Sequence, residues 1–327
     1  MKPLLESKDV TVLIVNYRGA DDTINCLRSL DKLVEVPGRI IVIDNNSNDG
    51  SVDKIFFAWR EFASPSIVKA QNIGTTDLKY RSIILTMPKN GGYAYGNNAG
   101  MRLAFRDNAC KAVWVLNNDT EADTRALYEL CKKVYTEKCI VGSTLVYHHD
   151  KKTVQCLGGS KVNKFLGTTS HICEGMNIKD INILSEYDIE YRLDAINGAS
   201  MLIPKNIIHK TGFINEKFFM YYEDIEFCQR AKNYYINILW SKHSIVYHNV
   251  GSTIITLEMI NKQNKRYNNY IYYTSLRNRI YYTKLLHSIY LPFVCFSYIF
   301  IVIKNYIQLR KTSIYKILIA MNKGLSM

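Results

Sequence analysis

The feature that most constrains the fold is an apolar run that ends in a polar cluster, residues 113–120, Val-Trp-Val-Leu-Asn-Asn-Asp-Thr. From residue 112 to 116 apolar side chains do not alternate with polar ones, which predicts a strand covered on both faces, as in a parallel sheet between helices. Asn117, Asn118 and Asp119 follow at the carboxyl end of this strand, where open α/β sheets bind ligands. The run therefore predicts an α/β fold with a polar site at this edge.

The polar cluster has two interpretations. Asp119 supplies a hard oxygen ligand of the kind that Mg²⁺ or Mn²⁺ prefers, and the two asparagines add neutral oxygens. Alternatively, Asp119 or Thr120 caps a helix predicted over residues 123–135. Taken alone, the cluster favours the cap, so the other segments have to decide between them.

The N-terminal segment repeats the pattern of a strand followed by polar residues. Residues 10–15 predict a strand that ends at Asn16, and residues 39–43 predict another that ends at Asp44, with a helix over 20–33 between them. Strand, helix and strand, each strand followed by a polar loop, are typical of a doubly wound sheet. Asp44 stands where nucleotide-binding α/β domains place an acid against ribose or base.

A glycine-rich segment follows the next predicted strand, Ser82–Thr86. It contains Asn90, Gly91 and Asn97 and leads into a helix predicted over residues 98–106. Glycines let a backbone approach a ligand closely, and a helix N-terminus attracts anions. The segment is neither a Gly-x-Gly-x-x-Gly motif nor a P-loop, so dinucleotide binding and ATP hydrolysis lose support.

The second half contributes three further candidates. A small-residue turn, Asn197-Gly198-Ala199, precedes an apolar strand, and Glu223 and Asp224 open a predicted helix. His248 follows two short predicted strands, 236–240 and 244–247. Each has a structural alternative, because carboxylates commonly cap helices and a lone histidine after a strand is more often structural.

Charge and cysteine content narrow the class of protein. The net charge is +13 over 327 residues. Residues 251–327 hold eleven Lys and Arg against one acid, which suggests an anionic partner such as membrane lipid or nucleic acid. The eight cysteines form no Cys-x-x-Cys pair, so we expect reduced core residues of a cytosolic protein. The N-terminus is too charged for a secretory signal.

In combination, the segments from residue 10 to about 251 resemble the GT-A-fold glycosyltransferases of family 2, in particular the rhamnosyltransferase-like branch. Each motif is weak alone, but seven in the right order are specific. In chain order they are Val15-Asn16-Tyr17, Val42-Ile43-Asp44-Asn45, Asn90-Gly91-Gly92-Tyr93 with Asn97-Asn98, Leu116-Asn117-Asn118-Asp119-Thr120, Asn197-Gly198-Ala199, Phe219-Met220-Tyr221-Tyr222-Glu223-Asp224, and His248.

The resemblance implies a Rossmann-like GT-A catalytic domain over residues 1–253. Its nucleotide-sugar half would be about 1–120 and its acceptor half about 121–253, followed by a basic, apolar helical tail over 254–327. Residues implied to bind the donor nucleotide or its diphosphate are Asn16, Asp44, Asn90, Gly91, Asn97 and Asn118. Residues implied to line the sugar and acceptor are Asn197, Gly198, Ala199 and Glu223.

The resemblance also implies the catalytic groups. Asp224 would be the general base, and Asp119 with His248 would bind Mn²⁺ or Mg²⁺ against the diphosphate. The family's Asp-x-Asp begins with Asn117 here, which is common in the rhamnosyltransferase-like branch. Because an amide is a weaker metal ligand than a carboxylate, His248 and the donor diphosphate become necessary parts of the site.

The expected reaction is inverting transfer of one sugar from a nucleotide sugar to a lipid-linked saccharide. Rhamnose from dTDP-rhamnose, in O-antigen or capsule synthesis of a bacterium, is favoured by the resemblance alone. A UDP-linked galactose, glucose or N-acetylglucosamine donor is the nearest alternative, and a sugar-phosphate nucleotidyltransferase is a more distant one. A basic membrane-binding or nucleic-acid-binding protein would not need Asp44, Asp119 and Asp224, so no nucleic-acid partner is expected.

The tail adds a prediction about the membrane. Residues 285–303 are an apolar run flanked by Lys284 and Lys304, near the ~20 residues that span a bilayer. A spanning helix, an in-plane anchor and a dimer-forming helix all remain open. His287, Ser288 and Pro292 interrupt the run, which favours an in-plane anchor. We therefore expect a cytoplasmic enzyme, peripheral at the inner face of the cell membrane, and a homodimer is left open.

Overall fold

The first 120 residues alternate strands and helices, as the sequence predicts. A computed structural model describes residues 4–75, 78–136, 138–250, 264–307 and 311–327. Its strands are β1 (Val10–Asn16), β2 (Arg39–Asp44), β3 (Pro65–Lys69), β4 (Ser82–Thr86), β5 (Ala112–Asn117), β6 (Thr120–Ala122), β7 (Cys139–Tyr147), β8 (Val154–Leu157), β9 (Gly159–Asn163), β10 (Thr168–His171), β11 (Ala195–Ile196), β12 (Ser200–Pro204) and β13 (Asn237–His248). Its helices are α1 (Ala20–Leu30), α2 (Ser51–Trp59), α3 (Tyr93–Ala104), α4 (Ala126–Lys133), α5 (Glu186–Arg192), α6 (Lys205–Thr211), α7 (Glu223–Lys232), α8 (Asn264–Leu286), α9 (Leu291–Ile307) and α10 (Lys311–Ser326).

One mixed, mostly parallel sheet forms the centre, in the order β3-β4-β2-β1-β5-β12-β7-β13-β6, with β8 paired to β7. The strands from β3 to β5 are mutually parallel. Strand β12 then runs antiparallel to both β5 and β7. A second, three-stranded sheet has the order β10-β9-β11. This is the α/β architecture that the sequence predicts.

Strand β5 lies in the middle of the sheet and is covered on both faces. Val113 and Val115 belong to the hydrophobic cluster on the α3 side, whereas Trp114 and Leu116 belong to the cluster on the α1 side. All four are at most 1% exposed. Apolar and polar residues do not alternate in this strand because both of its faces are buried away from water.

The residues after β5 differ from the prediction. Thr120 does not start a helix, because residues 120–122 form β6 and pair with Val246, Tyr247 and His248 of β13. The backbone N–H of Ala122 also donates to Ser29 Oγ at 3.0 Å. Helix α4 begins only at Ala126. Long-range pairing therefore overrides the local capping signal, and the helix-cap interpretation of Asp119 is wrong.

Other differences have similar causes. The two short strands predicted at residues 236–240 and 244–247 are one strand, β13, with a register shift between Ser241 and Ile245. Helix α3 begins at Tyr93 rather than at residue 98, because glycines do not prevent a helix that packs on β1 and β2. The weakly patterned segment 147–191 contains the small strands β8 to β10 and helix α5.

Helix α8 packs against the loop that precedes α7. Tyr281 and Tyr282 form a buried cluster with Phe218 and Tyr222. The boundary predicted at residues 253 and 254 lies outside the described residues. The apolar run 285–303 is divided, because α8 ends at Leu286 and α9 begins at Leu291. None of the helices in the described ranges is long and apolar enough to cross a bilayer.

Candidate active site

The carboxyl ends of β1 and β2 form a buried hydrogen-bonded network. Asn16 Nδ2 donates to Asp44 Oδ1 at 2.7 Å, and Asp44 accepts from the backbone N–H and the hydroxyl of Ser47. Asn16 Oδ1 accepts from the hydroxyl of Thr23 at 2.9 Å. Asn16 and Asp44 are at most 2% exposed. Their present partners hold the two loops together, so the network shapes the walls of the site.

A cavity of about 300 Å³ opens beside this network, at the ends of β2 and β4. Its lining includes Asp44, the polar loop residues Asn46 and Asn48, and Thr86 at the end of β4. Asn46 and Asn48 have φ angles of 61° and 49°. Asparagine adopts this left-handed region more readily than most residues, which explains the Asn-rich loop. The cavity lies where the sequence predicts the nucleotide.

The glycine-rich segment is tied to both halves of the site. Asn90 Oδ1 accepts from the N–H of Gly92, and Asn45 Nδ2 donates to the carbonyl of Gly92 at 2.9 Å. Asn97 Nδ2 donates to the carbonyl of Tyr93. The side-chain oxygens of Asn45 and Asn97 are buried and have no hydrogen-bond partner among the described residues. The side-chain oxygens of Asn45 and Asn97 are therefore available to accept hydrogen bonds from a ligand.

Gly92 is the position in this segment where a side chain is least tolerable. Its φ is 87° with ψ near 180°, and an added Cβ would overlap the carbonyl oxygen of Phe219. We expect Gly92→Ala to lower the free energy of unfolding by about 3 kcal/mol, from backbone strain plus the overlap. Urea denaturation measures this loss.

Gly50 is the matched control. Its φ is 85°, but a Cβ there would meet nothing within 4 Å. Gly50→Ala should therefore cost only the backbone strain, about 1–2 kcal/mol. If the two variants lose the same free energy of unfolding, the close approach of Gly92 to Phe219 does not contribute to the cost of the substitution.

At the end of β5, Asp119 and His248 face each other. Asp119 Oδ1 lies 3.2 Å from His248 Nε2, and both side chains are about nine-tenths buried. His248 Nδ1 lies 2.9 Å from Gln155 Oε1. An amide oxygen only accepts, so His248 Nδ1 donates its proton to Gln155, and Nε2 is the ring nitrogen that faces Asp119.

These residues are suited to a divalent cation. Asp119 Oδ1 is buried without a hydrogen-bond partner in the described part of the chain, and it lies 3.2 Å from His248 Nε2, which can serve as a second ligand. Two ligands at right angles on an ion with bonds of about 2.1 Å lie about 3 Å apart. Gln155 orients the imidazole as outer partners of metal-binding histidines do. Since the described residues contain no cluster of three or more such ligands, donor oxygens or water must complete the coordination.

The neighbouring asparagines have other partners. Asn118 Nδ2 lies 3.3 Å from both the carbonyl of Gly19 and the hydroxyl of Thr23, at the start of α1. The backbone N–H of Asn117 donates to the carbonyl of Ala199 at 3.0 Å. Asn118 therefore joins the end of β5 to the Asn16 network through Thr23, and Asn117 joins it to the turn at residues 197–199.

That turn holds the candidate base. The N–H of Gly198 donates to Asp224 Oδ2 at 2.9 Å, and the N–H of Ile225 donates to Asp224 Oδ1 at 2.8 Å. Tyr93 donates its hydroxyl proton to the carbonyl of Gly198. An added Cβ on Gly198 would meet Tyr93 Oη at 2.9 Å, so a small residue is required here. Asp224 is thus held by Gly198, the residue directly before Ala199, whose carbonyl accepts from Asn117.

Glu223 and Asp224 divide one negative charge between them. Burial, and then the charge of Asp224, raise the pKa of Glu223 to about 8. Burial also raises the pKa of Asp224, although the hydrogen bonds from Gly198 and Ile225 act in the opposite direction. Glu223 therefore holds its proton near neutrality, whereas the two backbone hydrogen bonds favour the carboxylate form of Asp224.

The loop before α7 is strained and is held from the C-terminal helix. Phe219, Tyr221 and Tyr222 have φ angles between 67° and 73°. Such residues persist only where surrounding contacts enforce them. The fully buried Asn278 of α8 supplies these contacts, because its Nδ2 donates to carbonyls of this loop at 2.7–2.9 Å, those of Phe218, Met220 and Tyr221.

Sequence reasoning missed three residues that shape the site. Gln155 lies on a short strand inside the weakly patterned segment, and no local signal marks it. Tyr93 belongs to a recognised motif, but its contact with Gly198 spans 105 residues. Asn278 lies inside a long helix, and its contacts are visible only once α8 is placed against the loop.

Comparisons with known proteins agree with this architecture. Residues 11–166, a little under half of the chain, match the family model described as Glycosyl transferase family 2. The low-salt glycan biosynthesis hexosyltransferase Agl10 of Haloferax volcanii is 28% identical over 238 residues, which cover 70% of this chain and 64% of Agl10. The chain thus spans slightly less than two thirds of that relative.

Two solved structures are similar in fold. GalNAc-T7, solved with UDP, GalNAc and Mn²⁺, has a TM-score of 0.56 and 11% identity, over 84% of this chain and 47% of GalNAc-T7. The mannosyltransferase PcManGT from Pyrobaculum calidifontis, solved with GDP-Man and Mn²⁺, has a TM-score of 0.53 and 10% identity, over 100% of this chain and 79% of PcManGT. These likenesses show the GT-A fold that the sequence predicts.

Proposed function

We propose that this GT-A-fold chain is an inverting, metal-assisted glycosyltransferase that moves one sugar from a nucleotide sugar to a hydroxyl acceptor. The observation that carries the proposal is the arrangement at the end of β5. There the Asp119–His248 pair adjoins a turn whose backbone holds the carboxyl group of Asp224. The family 2 match over residues 11–166 supports the same class of reaction.

Asp224 would remove the proton from the acceptor hydroxyl as its oxygen attacks the anomeric carbon. The bond from that carbon to the diphosphate oxygen breaks, and the diphosphate leaves with the electron pair. Because Glu223 keeps its proton near neutrality, the pair presents one negative charge to the acceptor rather than two. A single carboxylate base and no carboxylate nucleophile give inversion at the anomeric carbon.

The leaving group needs charge neutralisation. A bound Mn²⁺ or Mg²⁺ supplies this by Lewis-acid contact with the diphosphate. Asp119 and His248 would hold the ion, with Gln155 fixing the imidazole. Asp44 lines the cavity at the ends of β2 and β4, and Asn16 holds the Asp44 side chain by a hydrogen bond, which suits a site for the base and ribose. Asn90, Gly91, Asn97 and the turn at residues 197–199 would complete the wall around the diphosphate and sugar.

The favoured donor is dTDP-rhamnose, from the resemblance to the rhamnosyltransferase-like branch. A UDP-sugar is the alternative, and GalNAc-T7 provides a precedent for UDP on this fold. The acceptor would be a lipid-linked saccharide of a bacterial surface polysaccharide such as O-antigen or capsule. The enzyme would then work at the cytoplasmic face of the membrane, which agrees with the basic, apolar C-terminal segment.

Thermal denaturation with dTDP-, UDP- and GDP-sugars in the presence of Mn²⁺ tests the proposal. A donor at a hundredfold excess over its Kd should stabilise the fold by about 2.7 kcal/mol, and EDTA should remove most of this gain. We expect dTDP-rhamnose to give the largest increase in Tm. A larger increase with a UDP-sugar would replace the donor assignment.

Two outcomes would contradict the reaction class itself. The first is that no nucleotide sugar raises the Tm. The second is stabilisation by a nucleoside triphosphate together with a sugar phosphate, which would favour a nucleotidyltransferase. Asp188→Asn, an exposed substitution on α5, should behave as the unmodified protein in every arm.

A further inference from the structure

The exposed side of α9 is entirely apolar between residues 291 and 303. At about 100° per residue, its exposed positions fall on one side of the helix. Val294 and Tyr298, on the opposite side, are buried against α8 and α10. The exposed positions are Pro292, Phe293, Phe296, Ile299, Phe300 and Ile303. A water-exposed helix face normally carries polar residues, so this face is unusual for a helix that only covers a core.

The tip of the β9–β10 hairpin extends this surface. Phe165 and Leu166 are 48% and 37% exposed, and the ring of Phe165 lies 4.2 Å from that of Phe293 between centroids. Ile289, just before α9, is 77% exposed. We call this surface the apolar face: Phe165, Leu166, Ile289, Phe293, Phe296, Ile299, Phe300 and Ile303.

The charge around the apolar face is positive. Lys161 and Lys164 are exposed on the hairpin, and Lys164 directly precedes Phe165. From residue 259 to the end of the chain, the sequence contains no Asp or Glu. Apolar rings next to basic side chains are complementary to an anionic lipid surface.

The apolar face is linked directly to the candidate active site. The carbonyl of Leu166 accepts from Arg279 Nε of α8 at 2.6 Å. The carbonyl of Gly167 accepts from the hydroxyl of Tyr222 at 2.8 Å, and Tyr222 precedes Glu223 in the chain. A surface bound at the hairpin tip therefore lies beside the loop that presents the carboxylates.

We propose that the apolar face docks in the plane of an anionic lipid bilayer, with its rings in the acyl boundary and Lys161 and Lys164 at the headgroups. This rests on the proposed function, because docking there would bring the saccharide of a lipid-linked acceptor towards Asp224. A second copy of the chain fits less well, because a two-fold contact through this face would bring the same basic residues of both copies together.

Vesicle flotation of the full chain tests the proposal. The test variant is Phe296→Ser, Phe300→Ser and Ile303→Ser combined, since these side chains are 59%, 61% and 48% exposed. The control variant combines Phe57→Ser, Tyr187→Ser and Tyr191→Ser, which are at least 65% exposed on α2 and α5. We expect vesicles with phosphatidylglycerol to bind the unmodified and control proteins, and the test variant to bind at least about tenfold more weakly.

Three results would overturn the docking proposal. They are equal vesicle binding by the two variants, equal binding to phosphatidylcholine alone, or a dimer in sedimentation that the test variant abolishes without any vesicle binding. The donor-dependent increase in Tm should be the same in the test variant as in the unmodified protein. If the unmodified protein does not float with vesicles but a nucleotide sugar still raises its Tm, only the docking proposal is rejected. If no nucleotide sugar raises the Tm of any of the proteins, the proposed glycosyltransferase function is rejected.

Discussion

Asp224→Asn is expected to lower kcat for sugar transfer about 1,000-fold while leaving the protein folded. An amide cannot take the proton of the acceptor hydroxyl, and positioned general bases contribute about 10²–10⁴ in rate. The amide oxygen still accepts one of the two backbone hydrogen bonds that now reach Asp224. Removing a buried charge next to Glu223 offsets the loss of the other bond. Single-turnover assays with a saturating donor measure the rate.

Two measurements separate this loss from a folding defect. The Tm of Asp224→Asn should stay within a few degrees of the unmodified protein, and its donor-dependent increase in Tm should persist. The exposed Asp188→Asn variant should retain full activity. If Asp224→Asn transfers sugar at an undiminished rate, Asp224 is not the base, and the buried carboxylate beside it becomes the next candidate.

The pH dependence of the unmodified enzyme follows from the same pair. The pKa of Asp224 is raised by burial, so kcat should fall on the acid side at a higher pH than for an ordinary aspartate. The folded pKa of Glu223, about 8, exceeds the value in an unfolded chain. Its proton therefore stabilises the folded state fully only below the pKa of the unfolded chain, about 4.3. This stabilisation declines as pH rises from there, and it is lost above about 8.

The sequence predicted those parts of the fold whose signal is local. Strand β5 could be predicted because burial on both of its faces requires an uninterrupted run of apolar residues. The common location of the polar residues after β1, β2 and β5 could also be predicted, because parallel strands end at one edge of a sheet. Asp44, Asp119 and the turn that holds Asp224 were therefore predicted by position, and their chemical roles remain predictions.

The contacts that complete the site are not local, and they were not predicted. Gln155 reaches His248 across 93 residues, and Asn278 reaches the carbonyl of Phe218 across 60. A polar residue on a short strand or in a long helix looks the same in sequence whether it faces water or a partner. Strand β6 shows the converse effect, because a strong local capping pattern yields to pairing with β13.

Helix α8 changes how the C-terminal segment should be understood. Its sequence suggests an appendage, but Asn278 holds three carbonyls of the strained loop before Glu223, and Tyr281 and Tyr282 pack on the same loop. The hydrogen bonds replace those that the loop cannot make within itself. Helix α8 is therefore a structural support of the loop that presents Glu223 and Asp224, and it leads directly to the surface that we propose docks on lipid.

The pair at the end of β5 gives the second large effect. Asp119→Asn is expected to lower kcat/KM about 1,000-fold, since neutralising a leaving diphosphate is worth several kcal/mol. Binding of Mn²⁺, followed by electron paramagnetic resonance with the nucleoside diphosphate present, should weaken in parallel. Asp123→Asn is the matched control. Asp119 and Asp123 both line a cavity of about 380 Å³ beside β6, and the carboxylate of Asp123 accepts from the backbone N–H of Arg125.

A third variant separates ligation from general disruption. Gln155→Leu leaves Asp119 and His248 in place but removes the acceptor for the imidazole N–H. Loss of such an outer partner typically weakens metal binding about 10–100-fold, so Mn²⁺ affinity should fall without a change in nucleoside diphosphate affinity measured in EDTA. If Asp119→Asn and Gln155→Leu both bind Mn²⁺ as tightly as Asp123→Asn, the pair is not a metal site. The unpartnered carboxylate oxygen would then require a proton on His248 Nε2, and the leaving diphosphate would depend on other cationic groups.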